Sequence, residues 1–261
     1  MNLSIARSFL GIVASVLTCG SLYAEVIFGD LADTTLVQNN TLNPPEAAVM
    51  RVGATNSVNP GGANVLLVFQ LPDFGAVANP FVTADFGLNL FSVNGPPSFN
   101  VDLYGLGIQS SATLILGNGV LATDRFYESN TVDANATLIQ LDFTIPGAGA
   151  SPGFKNTNAT GDANLLTYLN TLYGSGTGAG QYVVLRANPD VDAGNAIVGY
   201  NYSAADAGAT ANATGPGTAF DPVITYAAVP EPSSAVLLLG ALGMLGFVGC
   251  WRCRSVSERN R

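Results

Sequence analysis

The 261-residue sequence contains no histidine. Histidine is the commonest general base, the usual partner of a serine or cysteine nucleophile, and the commonest ligand of transition metals. A glycosidase could work with two carboxylates instead, but the spacing of acids along a β chain identifies no facing pair. We therefore predict that the protein is not an enzyme, with no catalytic residues and no organic cofactor.

Cysteine and positive charge are scarce between the two ends of the chain. The three cysteines are Cys19, Cys250 and Cys253, so residues 25–229 can form no disulfide. The same region holds 16 acidic residues against four basic ones, a net charge of −12. Proteins neutralise phosphate backbones with lysine and arginine, so this charge argues against a nucleic-acid partner. Stability must come from a packed core.

The first 24 residues have the three parts of a secretory signal peptide. Met1–Arg7 carries one positive charge, Ser8–Thr18 is apolar, and Leu22-Tyr23-Ala24 puts a small residue before a cleavage point. We therefore predict that residues 1–24 are removed on export, and that a folded domain occupies residues 25–228.

Residues 229–261 place an apolar run between a proline-rich start and a basic end. Val229-Pro230-Glu231-Pro232 precedes the uncharged segment 235–251, and Arg252 and Arg254 follow it. A transmembrane helix needs roughly 17–25 apolar residues, and glycines like those in this segment are tolerated there. The arginines predict a cytoplasmic C-terminus by the positive-inside rule. We therefore predict a transmembrane helix over about 235–251.

The order of these parts resembles the PEP-CTERM sorting signal of Gram-negative bacteria. The residues that carry the resemblance are Val229, Pro230, Glu231, Pro232, Arg252 and Arg254. The resemblance implies that an exosortase-type enzyme of the inner membrane recognises this signal and cleaves near the anchor. The domain would then pass from a transiently anchored precursor to the cell surface or the extracellular matrix. The alternative is a permanent anchor, with the domain in the periplasm.

Short apolar patterns separated by turn residues fill the predicted domain. Ala84–Leu90 and Phe99–Leu103 alternate with period two, and Val65–Gln70 is a continuous apolar run of strand length. Weaker strand patterns are Thr34–Gln38, Val49–Val52, Thr113–Leu116, Thr137–Phe143, Tyr182–Leu185, Ile197–Tyr202 and Val223–Tyr226. About ten short strands without helices between most of them predict an all-β fold, a jelly-roll-like antiparallel β-sandwich.

One short helix interrupts the strands. Five apolar or aromatic residues fall on one helical face: Leu165, Leu166, Leu169, Leu172 and Tyr173. Asp162 is suited to cap its start, and Gly174 suits the position just after its end. We predict that this helix closes one end of the sandwich.

The order of strands also resembles the DNRLRE-type β-sandwich, which is similar to the family 96 carbohydrate-binding modules. The resemblance rests on Ala32-Asp33-Thr34, Leu66–Pro72 and Asp221–Tyr226. It implies a jelly roll that binds polysaccharide without catalysis. Val68 and Gln70 stand where that family has an arginine and an acidic residue, so its ligand site does not carry over.

Two groups of residues are candidates for ligand binding. Asp190, Asp192 and Asn195 present oxygen atoms before a turn, as in a calcium loop, although the glycine and glutamate of an EF-hand are missing. A structural calcium ion or an ordinary Asx turn would explain them. Tyr200 and Tyr202 share one face of a strand, and either stack on sugar rings or pack in the core.

These observations together predict an exported bacterial protein of the cell surface or extracellular matrix. Its predicted role is structural or adhesive, in exopolysaccharide-associated material. The alternative is a carbohydrate-binding module. The predicted partners are an exosortase-type enzyme, the inner membrane during processing, and a polysaccharide.

Overall fold

The computed structural model describes residues 24–29, 34–37, 41–43, 49–53, 63–75, 77–114, 136–190, 198–204 and 220–229. The first six strands are β1 (Ala24–Phe28), β2 (Thr34–Val37), β3 (Thr41–Asn43), β4 (Val49–Gly53), β5 (Asn64–Gln70) and β6 (Phe81–Asn94). The others are β7 (Val101–Gln109), β8 (Thr137–Thr144), β9 (Gly153–Asn156), β10 (Tyr182–Pro189), β11 (Gly199–Ser203) and β12 (Val223–Ala228). A 3-10 turn spans Gly147–Ala150, and helix α1 spans Ala159–Gly174.

The strands form two antiparallel sheets within one compact unit, Ala24–Ala228. Sheet A has the order β1–β12–β6–β11–β4, with β9 also paired to β6. Sheet B has the order β3–β2–β5–β10–β7–β8. The predominance of strands, their antiparallel pairing and a single α-helix in the described residues confirm the predicted class; the jelly-roll description stays a prediction.

The main core lies between the two sheets, and a second apolar cluster covers the other face of sheet B. β5 shows this arrangement most clearly, because Val65, Leu67 and Phe69 enter the main core while Leu66 and Val68 enter the second cluster. A strand buried on both faces reads as a continuous apolar run instead of an alternation. This explains the uninterrupted apolar sequence of β5.

Most of the predicted strand patterns coincide with observed strands. Thr113–Leu116 does not, because Thr113 and Leu114 are not in a strand and residues 115–116 lie outside the described part of the chain. The sequence patterns do not predict β1, β3 or β9. β3 and β9 are only three and four residues long, too short to show a period of two. β1 begins at Ala24, inside the predicted signal peptide.

The helix is confirmed, but the predicted residues at its two ends are wrong. Asn158 is the N-cap, since its side-chain oxygen accepts hydrogen bonds from the backbone N–H groups of Thr160 and Gly161, each at 3.0 Å. Asp162 lies in the first turn, where its negative charge interacts favourably with the helix dipole. Gly174 is the last helical residue, and Ser175 caps the C-terminus.

Helix α1 joins the two sheets. Leu165 and Leu169 are fully buried in the main core. The Asn164 side-chain amide donates to the carbonyl of Ile139 in β8 at 2.9 Å, and that of Asn170 donates to the carbonyl of Phe81 in β6 at 3.0 Å. The buried face and these two bonds hold the helix across sheets B and A.

No helix among the described residues is both long and apolar enough to cross a membrane. The predicted anchor at about 235–251 and residues 1–23 of the predicted signal peptide lie outside those residues.

Candidate functional site

The last strand, β12, leads directly into the predicted sorting signal. It lies between β1 and β6, where Ala227 is opposite Ala24 on one side and Thr83 on the other. The backbone N–H of Ala227 also donates to the Thr83 hydroxyl at 3.1 Å. The described part of the chain ends at Val229. The other signal residues lie outside it: Pro230, Glu231, Pro232, Arg252 and Arg254.

Tyr226 fastens β12 to the core and to the strand that starts the domain. Its ring is 4 % exposed and packs edge-on against Phe74 and Phe81, with centroid distances of 6.1 and 5.2 Å. Its hydroxyl donates to a carboxylate oxygen of Glu25 at 2.6 Å. Burial raises the pKa of Tyr226, and the Glu25 carboxylate raises it further. The hydroxyl therefore stays protonated near neutral pH and keeps β1 and β12 joined.

Tyr200 and Tyr202 are core residues, and the sugar-platform interpretation of this pair is wrong. Both side chains are fully buried. The Tyr200 hydroxyl donates to the carbonyl of Phe99 at 2.9 Å, and the Tyr202 hydroxyl donates to the hydroxyl of Thr144 at 2.8 Å. Burial raises the pKa of Tyr200 to about 12, with a smaller contribution from the charge of Asp190. A ring with no exposed face cannot stack on a sugar, so the alternative of core packing describes both tyrosines.

Of the predicted calcium ligands, only Asp190 lies in the described part of the chain. It pairs with Asn100, whose carbonyl accepts from the Asp190 N–H at 3.0 Å and whose N–H donates to the Asp190 carboxylate at 3.1 Å. Asp192 and Asn195 lie outside the described residues. Among the residues that are described, no group of three acidic, histidine or cysteine side chains is arranged to hold a metal ion. Calcium binding stays a prediction.

Asp102 is a buried carboxyl group near this pair, and no sequence pattern predicts it as unusual. It is 1 % exposed, and its Oδ1 accepts from the backbone N–H of Asp142 at 2.8 Å. Burial raises the pKa of Asp102, and the charges of Asp190 and Asp142 raise it further. Hydrogen bonds with the Asp142 N–H and with the Tyr104 side chain oppose the rise. The ionised carboxylate is therefore a destabilising feature of the fold.

Asp102→Asn is expected to raise the thermal midpoint at pH 7 and to leave it unchanged near pH 3. A carboxyl whose pKa is raised by folding stabilises the fold below its ordinary pKa, and this stability is lost as the pH rises through the folded value. Asparagine cannot ionise and escapes that loss, while its carbonyl still accepts from Asp142. Thermal melts of the purified protein from pH 3 to 7 measure the difference.

The control is Asp73→Asn, because Asp73 is exposed and its carboxylate accepts from the Gly75 N–H at 2.8 Å. This control should show no comparable gain at pH 7. A destabilised Asp102→Asn at pH 7 would contradict the prediction.

Arg186 forms a second polar feature that the sequence patterns do not reveal. It is fully buried on the outer face of sheet B, where its guanidinium carbon lies 5.3 Å from the centre of the Tyr104 ring. Its Nε donates to the Asn188 side chain at 3.1 Å. It directly follows the apolar run Val183–Leu185, and nothing in that pattern predicts its burial. Its burial in this second cluster indicates a structural role.

An open cleft of about 650 Å³ runs beside edge strand β1 and the end of β5. Its walls include Val26, Phe28, Gln70 and Asp73, with Tyr226 at one side. Phe28 is 39 % exposed. Among the described residues, the carboxyl groups whose pKa is raised are those of Asp85 and Asp102, which lie on different sheets and do not line the cleft. The cleft therefore offers an apolar surface with polar edges and no paired, perturbed acids.

The comparisons with known proteins support the prediction of a sorting signal in residues 229–261. The family described as the PEP-CTERM protein-sorting motif matches residues 228–255, from the last residue of β12 through the predicted anchor to the arginines. A search of the curated proteins found no match. The chain therefore carries a PEP-CTERM protein-sorting motif, which indicates an exported protein whose membrane-anchored precursor is handled by an exosortase.

Proposed function

We propose that the protein is delivered to the cell surface or extracellular matrix, where its β-sandwich has a structural or adhesive role in exopolysaccharide-associated material. The observation that carries the proposal is the position of the sorting motif. The motif begins at Ala228, the last residue of β12, so the part of the compact unit that follows the predicted signal peptide, from Glu25 onward, is the cargo. The proposal assigns no catalytic activity to this unit.

The surface of the domain supports a role in association. Edge strand β1 exposes Val26 and Phe28, and edge strand β8 exposes Leu138 and Leu141. Apolar side chains on edge strands favour contacts with other molecules. The excess of acidic side chains keeps such a domain soluble while it is exported.

The test follows the mature protein in its native host by intact-mass analysis and by cell fractionation. Wild type is expected to lose the mass of residues 235–261 and to separate with the surface or exopolysaccharide fraction. The triple variant Pro230→Ala, Glu231→Ala, Pro232→Ala is expected to keep Arg261 and stay with the inner membrane, with processing reduced at least about tenfold. Ser233→Ala, a neighbouring change, is the control and should be processed normally. A processed triple variant, or a wild type that keeps Arg261, would refute the sorting step.

A second candidate function is polysaccharide binding, and the cleft beside β1 favours it. Sugar rings bind to an apolar surface with hydrogen-bonding groups at its edge, and Phe28, Gln70 and Asp73 supply such a combination there. In the same fractionation, Phe28→Ala should release the mature protein from the exopolysaccharide if the cleft binds it. Phe91→Ala, which removes an equally exposed ring from β6, is the matched control. Retention of both variants, with calcium present, would exclude the cleft and leave the structural role.

A further inference from the structure

The distance between the folded domain and the sorting motif is very short. β12 ends at Ala228, and Pro230 follows two residues later. A chain spans at most about 3.6 Å per residue, so Pro230 can lie only about 7 Å beyond the end of the strand. An enzyme that holds Pro230–Pro232 must therefore come close to the end of sheet A.

The strand cannot easily lengthen this connection by detaching. Tyr226 is paired on both sides, with Glu25 in β1 and Ala84 in β6, and the N–H of Ala227 donates to the Thr83 side chain. Tyr226 is buried and bonded to Glu25. Detaching β12 would break these bonds and expose the Tyr226 ring, so the connection keeps its length while the domain is folded.

The outer face of the sheet at this end is uncharged. We call it the exit face and define it by Val26, Val82, Thr83 and Ala227. The register places Ala227 and Thr83 side by side, and Val82 is an extra residue of β6 at the register shift between Ala227 and Ala228. Val26 and Val82 are 47 % and 39 % exposed.

The charge of the domain makes this face distinctive. Residues 25–229 have a net charge of −12, yet all four residues of the exit face are uncharged. The nearest acid on this face of β6 is Asp85, two residues beyond Thr83, opposite Thr225. An uncharged, partly apolar surface fits a partner that is itself apolar where it meets the domain, because neither partner must give up the hydration of a charge.

We propose that the exosortase-type enzyme docks on the exit face while it holds Pro230–Pro232. This inference rests on the sorting function and adds a second recognition surface to it. The short connection brings the enzyme against the face, and the two exposed valines supply the contact. The folded domain is then part of the substrate, together with the motif.

The experiment measures the rate at which pulse-labelled full-length chain loses residues 235–261 in the native host. Val82→Asp puts a carboxylate on the exit face and is expected to slow processing about fivefold or more. Phe91→Asp is the matched control, because Phe91 is 43 % exposed on the same strand, nine residues along, and should leave the rate unchanged. Resistance of the domain to added protease in spheroplasts reports whether each variant folds.

A spacer distinguishes docking from other effects of the aspartate. Eight glycine and serine residues inserted between Val229 and Pro230 extend the connection by up to about 27 Å. With the spacer, Val82→Asp should be processed as fast as the spacer-bearing wild type. Normal processing of Val82→Asp without the spacer, or an equal delay with and without it, would overturn the proposal. A wild type that keeps Arg261 would contradict the sorting step itself, and docking with it.

Discussion

Phe86→Ala is expected to lower the free energy of unfolding by about 3–5 kcal/mol, the usual range for truncating a fully buried phenylalanine. Phe86 lies in β6 and is fully buried between the two sheets. Its ring meets Phe69 of β5 edge-on at a centroid distance of 6.1 Å, and Phe143 of β8 at 5.5 Å. Alanine would remove both contacts and leave a cavity between the two sheets. The paired strands on each side of this cavity cannot move together to fill it.

Denaturant unfolding of the purified protein measures this loss. Phe91→Ala is the matched control, since Phe91 lies on the same strand but is 43 % exposed, and should change the free energy by less than about 0.5 kcal/mol. The domain has no cysteine, so no disulfide offsets the loss of packing. If the two variants unfolded at similar denaturant concentrations, the sheets would not meet at Phe86 as described.

The sequence predicts the strands well where a continuous apolar run or an apolar–polar alternation extends over five or more positions. β5 and β6 are examples, because burial requires apolar side chains whatever the partners of a strand are. Which strands become neighbours does not follow from such patterns. β1 pairs with β12 across nearly the whole domain, and no local pattern in the sequence relates Ala24 to Ala227. The closeness of the two ends of the domain is therefore a finding of the structure alone.

The candidate sites also differ in whether the sequence predicts them. The sorting motif could be predicted from the sequence, because a linear signal is defined by the order of its residues along the chain. Tyr200 and Tyr202 show the opposite case, since a period of two places both rings on one face but does not say which face is buried. Asp102 and Arg186 gave no sequence signal because their burial depends on what covers sheet B.

Gly53→Ala is expected to lower the free energy of unfolding by about 2–6 kcal/mol, from two causes that act together. Gly53 has a φ of +117°, a conformation that residues with a Cβ rarely adopt, and such strain costs roughly 1–3 kcal/mol. A Cβ at this position would also lie 2.6 Å from the carbonyl oxygen of Val198 and 2.7 Å from the Phe99 ring. Overpacking of this kind costs about 1–3 kcal/mol more.

Gly107→Ala separates the two causes. Gly107 has a φ of +87°, but a Cβ there would meet nothing within 4 Å, so only the backbone strain should remain. The difference between the two denaturation free energies then measures the contact of β4 with β11, where Gly53 and Gly199 are partners. The Val198 oxygen belongs to the backbone and cannot rotate away as a side chain could, and the partner glycine allows the two strands to approach. If the two variants lost equal free energy of unfolding, β11 would be able to move away from β4, and the two strands would pack less tightly than described.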